Sequence, residues 1–267
     1  MAGSSPAGAR AAAQVFVEDL GAPEPSPDDA RHLVAVLRLR PGETVVAADG
    51  AGSWRLCRIT GTTQRDSGCA GLLEPDGPVH HEAPSYPEVT VAFVPAKGER
   101  PEWAVQKLTE SGVDRIVVLG SSRAVVRWEG VRRDRALQRL ARVAREAAAQ
   151  SRRARLPEIT EAPDLETLAG RLAPVRLALA DPAGAPPDLG TPALAVGPEG
   201  GWDPAEVGRG WPLVRLGAGV LRAETAAVAA GVLLCGLRAG VVAPVEGAPL
   251  PPPGAPGPDG PCNHHAE

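Results

Sequence analysis

The stretch Ala193-Leu194-Ala195-Val196-Gly197-Pro198-Glu199-Gly200-Gly201-Trp202-Asp203-Pro204-Ala205-Glu206 decides the fold class. Its first four residues are a short apolar run, the pattern of a strand covered on both faces. Its last four read as a compact helix start, with Asp203 as N-cap, Pro204 at the first helical position and Glu206 closing a capping box. Between them, glycines at 197, 200 and 201 leave backbone amides bare, so the turn can approach a flat or anionic ligand closely. The spacing is not G-x-G-x-x-G, and Pro198 removes a donor that a phosphate cradle would use, which argues against a dinucleotide fingerprint. Taken alone, the motif also fits a tight β-to-α turn with no ligand.

A second loop of the same kind follows. Leu216-Gly217-Ala218-Gly219-Val220-Leu221-Arg222-Ala223-Glu224-Thr225 again runs from a strand candidate into a helix, and two such loops can wall one pocket. Arg222 and Glu224 cannot both be buried without partners, so they pair with each other, with a neighbouring chain or with a ligand.

Outward from these loops, strands alternate with helices from about residue 85 onward, the signature of an α/β sheet of mostly parallel order. Strands are predicted over 89–94, 115–119, 176–180, 193–197 and 213–216. Helices are predicted over 101–111, with Gly112 as the C-terminal glycine, and over 131–151 and 223–238. In front, residues 14–84 show short apolar stretches broken by turn signals at Arg40-Pro41-Gly42, Asp49-Gly50, Gly52, Thr60-Gly61 and Gly68, which predicts a small β-barrel. Asp28 to Leu39 reads as one short helix within it, capped at Asp28 or Asp29, with a strand over Thr44 to Ala48 following. Glu74 to Pro87 carries four prolines and reads as a linker, with His80 and His81 exposed in it and without a partner at metal-ligand spacing.

The ends look different. Residues 1–13 are rich in Ala, Ser and Gly and meet Glu18 and Asp19 at once, so no signal-peptide core forms and a disordered leader is expected. Residues 243–267 are dominated by Pro and Gly and are expected to be a disordered tail, in which Cys262, His264 and His265 lack a scaffold to hold a metal. The longest apolar run, Ala226 to Cys235, is far short of the roughly 20 residues that a membrane span needs. Cys57, Cys69, Cys235 and Cys262 lie far apart without a C-x-x-C pair, which predicts reduced thiols, no metal and a cytoplasmic protein. Aromatics make up only 3% of the chain, so aliphatic side chains must fill the core.

The net charge of -4 conceals a local excess. Between Arg123 and Arg155 stand eleven arginines against Glu129, Asp134 and Glu146, the footprint of a polyanion site. In the helix over 131–151, Leu137, Leu140, Ala141, Ala144 and Ala148 recur at spacings of three and four and predict the buried stripe, while Arg135, Arg139 and Arg142 take another face that could equally be merely solvated. Arg123, Arg152, Arg153 and Arg155 flank the helix where an α/β sheet places its ligand loops, and guanidinium forks suit phosphate there.

At these residues the chain resembles the RsmE family of SPOUT-class methyltransferases, which methylate N3 of a uridine in small-subunit 16S ribosomal RNA. The barrel signature is matched by His32-Leu33, Val36-Leu37-Arg38, Gly42 and Asp49-Gly50. The catalytic-domain signatures are matched by Lys97, Lys107, Glu110, Gly112 and Val113, by Glu146-Ala147, Gln150, Arg153 and Pro157, and by the glycine loop with Leu221-Arg222-Ala223-Glu224-Thr225-Ala226. The resemblance covers residues 15 to 240. Three positions depart from the pattern: Gly219 stands where a basic residue is common, Ala124 where Ser is usual and Ser111 where Leu is common.

The resemblance implies a PUA-like RNA-binding barrel followed by a SPOUT-type α/β domain with a C-terminal trefoil knot, a homodimer that completes the site, and S-adenosyl-L-methionine as cofactor. It implies cofactor contacts at Val196, Gly197, Pro198, Glu199, Gly200, Gly201, Leu216, Gly217, Val220, Leu221, Arg222 and Thr225, and RNA contacts at Arg38, Lys97, Arg123, Gln150, Arg152 and Arg153. The partner would be small-subunit ribosomal RNA or the 30S subunit, and the Ala226 to Leu234 helix face would be where subunits meet.

The donor methyl is already electrophilic, so such an enzyme must mainly orient a nitrogen and handle its proton. Uracil N3 keeps its proton at neutral pH. Glu224 or Glu199 is therefore the expected base, with Arg222 or Arg123 steadying the charge. Alternatives are a SPOUT methyltransferase acting on another RNA, which should lack the barrel signature, and a non-catalytic RNA-binding assembly factor, which should lack the glycine loops. A nicotinamide-dependent oxidoreductase would need the absent fingerprint.

Overall fold

The computed structural model describes residues 11–60, 71–98, 100–126, 128–207 and 210–243. The expected Gly61 and Gly68 turns, Arg127, Cys69 and the Cys/His group near the end of the chain lie outside them.

The first sheet is built from β1 (Ala13–Phe16), β2 (Thr44–Ala48), β3 (Ser53–Ile59), β4 (Leu73–Pro75) and β5 (His80–His81). β1 lies parallel to β2, and β2 folds back antiparallel on β3, which pairs in turn with both β4 and β5. Asp49 makes the β2–β3 turn: its Oδ1 accepts from the amides of Ala51 at 2.7 Å and Ser53 at 2.9 Å. Burial works to raise the pKa of this carboxyl, but the amide bonds outweigh it and hold it below its ordinary value. Val15, Leu33, Val45, Cys57, Ile59 and Leu72 fill the interior. Ala11 and Ala13, expected to belong to a leader, are buried against this sheet.

Two expectations are corrected in this region. The helix over 28–39 is instead α1 (Pro27–Arg31), running into a π-helical turn over His32–Val36, and its N-cap is Ser26, whose Oγ accepts from the Asp29 amide at 3.1 Å. The wider turn buries Leu33 and leaves Val34, Val36 and Leu37 exposed, and the chain then reverses through Arg38 at a φ of 56°. The segment read as a loose linker carries β4 and β5, and His80 stacks on Trp54 with ring centroids 4.3 Å apart. Proline spacing had hidden strands that pair only on one side.

The second sheet is wholly parallel. In chain order it comprises β6 (Thr90–Phe93), α2 (Arg100–Ser111), β7 (Arg115–Leu119), α3 (Gly130–Gln150), β8 (Glu158–Ala162), α4 (Leu165–Leu172), β9 (Leu177–Ala185), β10 (Ala193–Val196), α5 (Pro204–Val207), β11 (Leu213–Val214) and α6 (Ala223–Arg238). The strand order is β11-β9-β10-β6-β7-β8. Every residue of β6 and β10 is buried, as their unbroken apolar character requires when helices cover both faces. One core layer joins Val91, Phe93 and Leu194 to Leu108, Leu140 and Leu234 from α2, α3 and α6; the other joins Leu119, Leu179 and Ala195 to Leu165, Leu168 and Leu172 from α4. Gly112 ends α2 at a φ of 99°, where a side chain would be strained.

β8 and α4 were not foreseen. β8 is an edge strand of sequence Glu-Ile-Thr-Glu-Ala in which only Ala162 is buried, so it lacks an apolar run. α4 has Asp164 as N-cap, accepting from Thr167 N at 2.7 Å, and leucines at 165, 168 and 172, a legible but eight-residue pattern. On α3 the buried residues are Ala136, Leu140, Ala144, Ala147 and Ala148, with Leu137 half-buried; Ala141, placed in the stripe from spacing, is exposed.

The exit of α3 docks on the first sheet. Leu156 N donates to Gly50 O at 2.9 Å, Gln14 Nε2 to Arg153 O at 2.6 Å, and Ala148 and Ala154 pack with Phe16, Val46 and Trp54. Among the described residues no helix is long and apolar enough to cross a membrane, and no group of three or more His, Cys, Asp or Glu could hold a metal.

Candidate functional site

In the second sheet the chain moves outward one way from β6 through β7 to β8, then returns on the other side, where β10 pairs with β6. The carboxyl ends of β6 and β10 are therefore the point where the connections diverge, the place where an open α/β sheet leaves a crevice for ligands. Two cavities open there.

The first, of about 400 Å3, lies within the range of small-molecule pockets. It is walled by the two glycine loops, with Val196, Gly197, Pro198, Glu199 and Gly201 on one side and Leu216, Gly217, Val220 and Leu221 on the other. Nine of the positions expected at the cofactor thus meet around one space. Gly200, Arg222 and Thr225 do not line it: the Gly200 carbonyl turns toward Arg123, and Arg222 and Thr225 are exposed. Ala180, Asp181 and Pro182 also line it, and these were missed because β9 had been expected to stop at Ala180, whereas it continues to Ala185.

Trp202 was missed too. Its indole lies under Gly197, where a Cβ would come within 2.9 Å of the ring, so only glycine lets the loop close over it. The buried Trp202 Nε1 has no hydrogen-bond partner among the described residues. The expected capping box holds the other end of the loop: Asp203 N donates to Glu206 Oε2 at 2.9 Å, and Ala205 N to Asp203 Oδ1 at 3.0 Å. Glu206 also accepts from Ser122 N at 3.2 Å and Ser121 Oγ at 3.3 Å, tying the loop after β7 to the loop after β10.

The second cavity, of about 340 Å3, shares Pro198, Glu199 and Ala223 with the first and adds Val94, Pro95, Lys97, Arg100 and Val125. Arg100, unmarked by any sequence motif, is its main charge centre. It donates to Glu199 Oε1 at 2.6 Å, and its Nε lies 3.6 Å from Glu224 Oε1. Glu224, only 13% exposed, thus pairs with Arg100 and not with Arg222. Arg222, offered as a catalytic residue with Glu224, is the exposed N-cap of α6 and lines neither cavity. The two side chains diverge because a residue at the N-cap and one at the second helical position point to different sides.

The arginines behave differently from the charge count. Arg123 lines neither cavity but braces the glycine loop, with Nη1 3.3 Å from Gly200 O and Nε 3.4 Å from Asp203 Oδ2. Arg153 is a correction: it donates to the carbonyls of Thr109 at 2.7 Å and Val113 at 3.0 Å, and burial lowers its pKa, so it is an interior brace and offers nothing to RNA. Arg152 donates to Ala11 O at 3.0 Å and Arg155 to Glu82 O at 2.9 Å, both tying the two sheets together. Arg133, Arg139, Arg142 and Arg145 pair with Glu161, Glu102, Glu146 and Asp29, which removes much of the apparent excess. Gln150 and Arg152 line a groove of about 640 Å3 between α3 and the first sheet, but Asp28, Asp29 and Glu146 line it as well, so it is poorly suited to phosphate. Arg38 and Lys97 are exposed on loops.

The family described as an RNA methyltransferase domain matches residues 82–234, and the RNA methyltransferase PUA domain matches residues 26–69. The ribosomal RNA small subunit methyltransferase E of Mycobacterium bovis is 35% identical over 221 residues, covering 76% of this chain and 82% of that protein. A crystal structure of a ribosomal RNA small subunit methyltransferase E from Neisseria gonorrhoeae, bound to S-adenosyl methionine, aligns with a TM-score of 0.69 at 26% identity, over 84% of this chain and 97% of that one. A probable rRNA-methyltransferase from Porphyromonas gingivalis aligns with a TM-score of 0.71 at 27% identity, over 86% of this chain and all of that one.

Proposed function

The chain belongs to the ribosomal RNA small subunit methyltransferase E family, and from that premise we propose that it transfers a methyl group from S-adenosyl-L-methionine to N3 of a uridine in small-subunit ribosomal RNA. The observation that carries this reading is the cavity of about 400 Å3 walled by both glycine loops at the β6/β10 divergence. Its residues fit the donor: bare backbone at Gly217 admits a flat purine, the Asp181 carboxylate can accept from ribose hydroxyls, and Trp202, packed under Gly197, gives an aromatic wall. When bound, S-adenosylmethionine supplies a methyl group on a sulfonium, which needs no acid or metal to activate it.

The protein's own task is then to orient the acceptor nitrogen and take its proton. Of the three candidates Glu199, Glu224 and Arg222, Glu199 alone lines both cavities, and it is the group we assign as general base. Glu224 sits behind Arg100 and fixes it. The N3 edge is occupied in a duplex, so the target uridine must be unpaired or flipped out.

We extend the reading to the whole chain as follows. Residues 14–84 act as a PUA-like barrel that docks RNA, 85–242 as the catalytic domain, and the protein works in the cytoplasm on ribosomal RNA or the 30S subunit. The path from β10 through the edge strand β11 and back to α6, which packs on β6 and β10, supports a trefoil knot. A homodimer is supported by the exposed Trp103 on α2 and Val232 on α6. The Ala226 to Leu234 face does not serve, because the chain's own core already covers Ala226, Ala227, Ala230 and Leu234. Calorimetric titration with S-adenosylmethionine, followed by nucleoside analysis of treated small-subunit RNA, tests the proposal: donor binding and 3-methyluridine are expected. Absence of donor binding would leave an RNA-binding assembly protein as the better account.

A further inference from the structure

We infer that the cavity of about 340 Å3 beside the donor site is the pocket for the target base, and that Lys97 and Arg100 flank Glu199 there so that the site accepts uracil and excludes cytosine. The inference rests on the methyltransferase reading above and adds where the acceptor lies and what selects it.

Position argues first. A nitrogen that takes a methyl group must come within about 3–3.5 Å of it, so the acceptor pocket must adjoin the donor pocket. The cavity in question shares Pro198, Glu199 and Ala223 with the donor cavity. The space over the ends of β7 and β8, lined by Gly120, Trp128 and Pro163, shares no wall with the donor cavity, and neither does the groove beside β1.

Chemistry argues second. Val94, Pro95, Val125 and Pro198 supply apolar walls for the faces of a planar ring. The charged groups are one carboxylate and two cations: Glu199, Lys97 and Arg100. Uracil presents acceptor, donor, acceptor along its pairing edge, as O2, N3–H and O4, which in kind and number calls for two cations and one carboxylate. Cytosine presents an N3 lone pair to the carboxylate and an amino group to a cation, so two of its three groups would be opposed. A base that seats against these groups covers them, and two mismatched polar contacts then reject it far more strongly than an apolar pocket can.

The two cations have different tasks. Arg100 is held between Glu199 and Glu224, so it stands fixed at the cavity wall, where it aims the Glu199 carboxylate and faces one carbonyl oxygen of the base. Lys97 has no ion pair or hydrogen bond among the described residues, and its exposed side chain lines the cavity within reach of a carbonyl oxygen there. In the reaction the N3–H bond breaks, its proton passes to the Glu199 carboxylate, and the charge left on N3, O2 and O4 is met by Lys97 and Arg100. The freed N3 pair forms the new N–C bond while the C–S bonding pair stays with sulfur. Preorganised charge of this kind contributes about 10²–10³ in kcat.

The test is Lys97→Ala with Lys97→Arg as the charge-preserving control, measured in the full-length protein for donor affinity, RNA affinity, and kcat as a function of pH. The inference expects donor and RNA affinities within about twofold of the parent. It further expects kcat for Lys97→Ala to fall about 100-fold at neutral pH with the rising limb of its pH profile displaced to higher pH, and Lys97→Arg to recover at least tenfold. A lysine that only touches phosphate would instead raise KM for RNA and flatten its salt dependence. Unchanged kcat and an unmoved pH profile in Lys97→Ala overturn the inference. Failure of the parent protein to bind donor or to methylate RNA at all would instead overturn the methyltransferase reading.

Discussion

The Arg145 guanidinium carbon lies 5.1 Å from the centroid of the Phe16 ring, and its Nη2 donates to the Phe16 carbonyl oxygen at 2.8 Å. The pair joins α3 to β1 across 129 residues of sequence, and Asp29 Oδ2 at 3.3 Å completes the anchorage. An arginine from the basic run is therefore a structural tie between the two sheets. Its contribution combines a cation–π contact of about 0.5–1 kcal/mol with a charge-assisted hydrogen bond of about 1.5–3 kcal/mol, discounted because its side chain is 40% exposed.

Replacing Arg145 with Ala should destabilise the protein by about 1–2 kcal/mol, seen as a lower urea midpoint, while donor affinity stays at the parent value. Lysine should not restore the loss, since it lacks the planar fork that serves ring and carbonyl together. A urea midpoint equal to the parent's would show that the contact contributes nothing.

Gly197→Ala should weaken donor binding by at least tenfold, equivalent to about 1.4 kcal/mol. The added Cβ would stand 2.9 to 3.1 Å from Trp202 ring atoms, so the indole must move and the cavity wall with it. Calorimetry measures the affinity and tryptophan fluorescence the displacement. Parent-like affinity would remove Trp202 from the donor site.

Cys235 is buried, and burial outweighs the nearby Arg238 to push its thiol up to about 11. The folded state therefore favours the neutral thiol. That preference is fully present below the ordinary thiol value of 9.0 and is lost as pH rises through about 11, so stability should fall across this window. Iodoacetamide at pH 8 should leave Cys235 unmodified in the native protein and modify it after unfolding, as read by peptide mass spectrometry. Rapid native labelling at Cys235 would contradict the packing of α6 on α2.

Trp103→Asp should convert the proposed dimer to a monomer of half the mass in sedimentation, because it puts a charge in place of the exposed indole of α2 on which the dimer proposal rests. A parent protein that sediments as a monomer at micromolar concentration would remove the dimer from the proposal.

Most of the parallel sheet was legible in the amino-acid sequence. The runs at 115–119 and 223–238 match β7 and α6 residue for residue, and the capping box at Asp203 and Glu206 forms as read. These features depend on neighbours only a few residues away, and hydrophobic period and capping record such local preferences directly. β8 was illegible because an edge strand buries too little to need an apolar run, and the π-helical turn because its spacing differs little from that of an α-helix.

From the sequence alone came the glycine loops and their placement after strands, and family resemblance added nine of the residues that wall the cavity between those loops. What only the tertiary structure decided is which charges meet. Arg100 and Glu199 stand 99 positions apart, Arg153 faces the Thr109 carbonyl across 44, and Arg222 and Glu224, two apart, face different ways. Backbone conformation follows from local sterics and is written in short segments. A charged side chain's partner is set by which strands and helices come to lie side by side, and burial then makes that pairing compulsory.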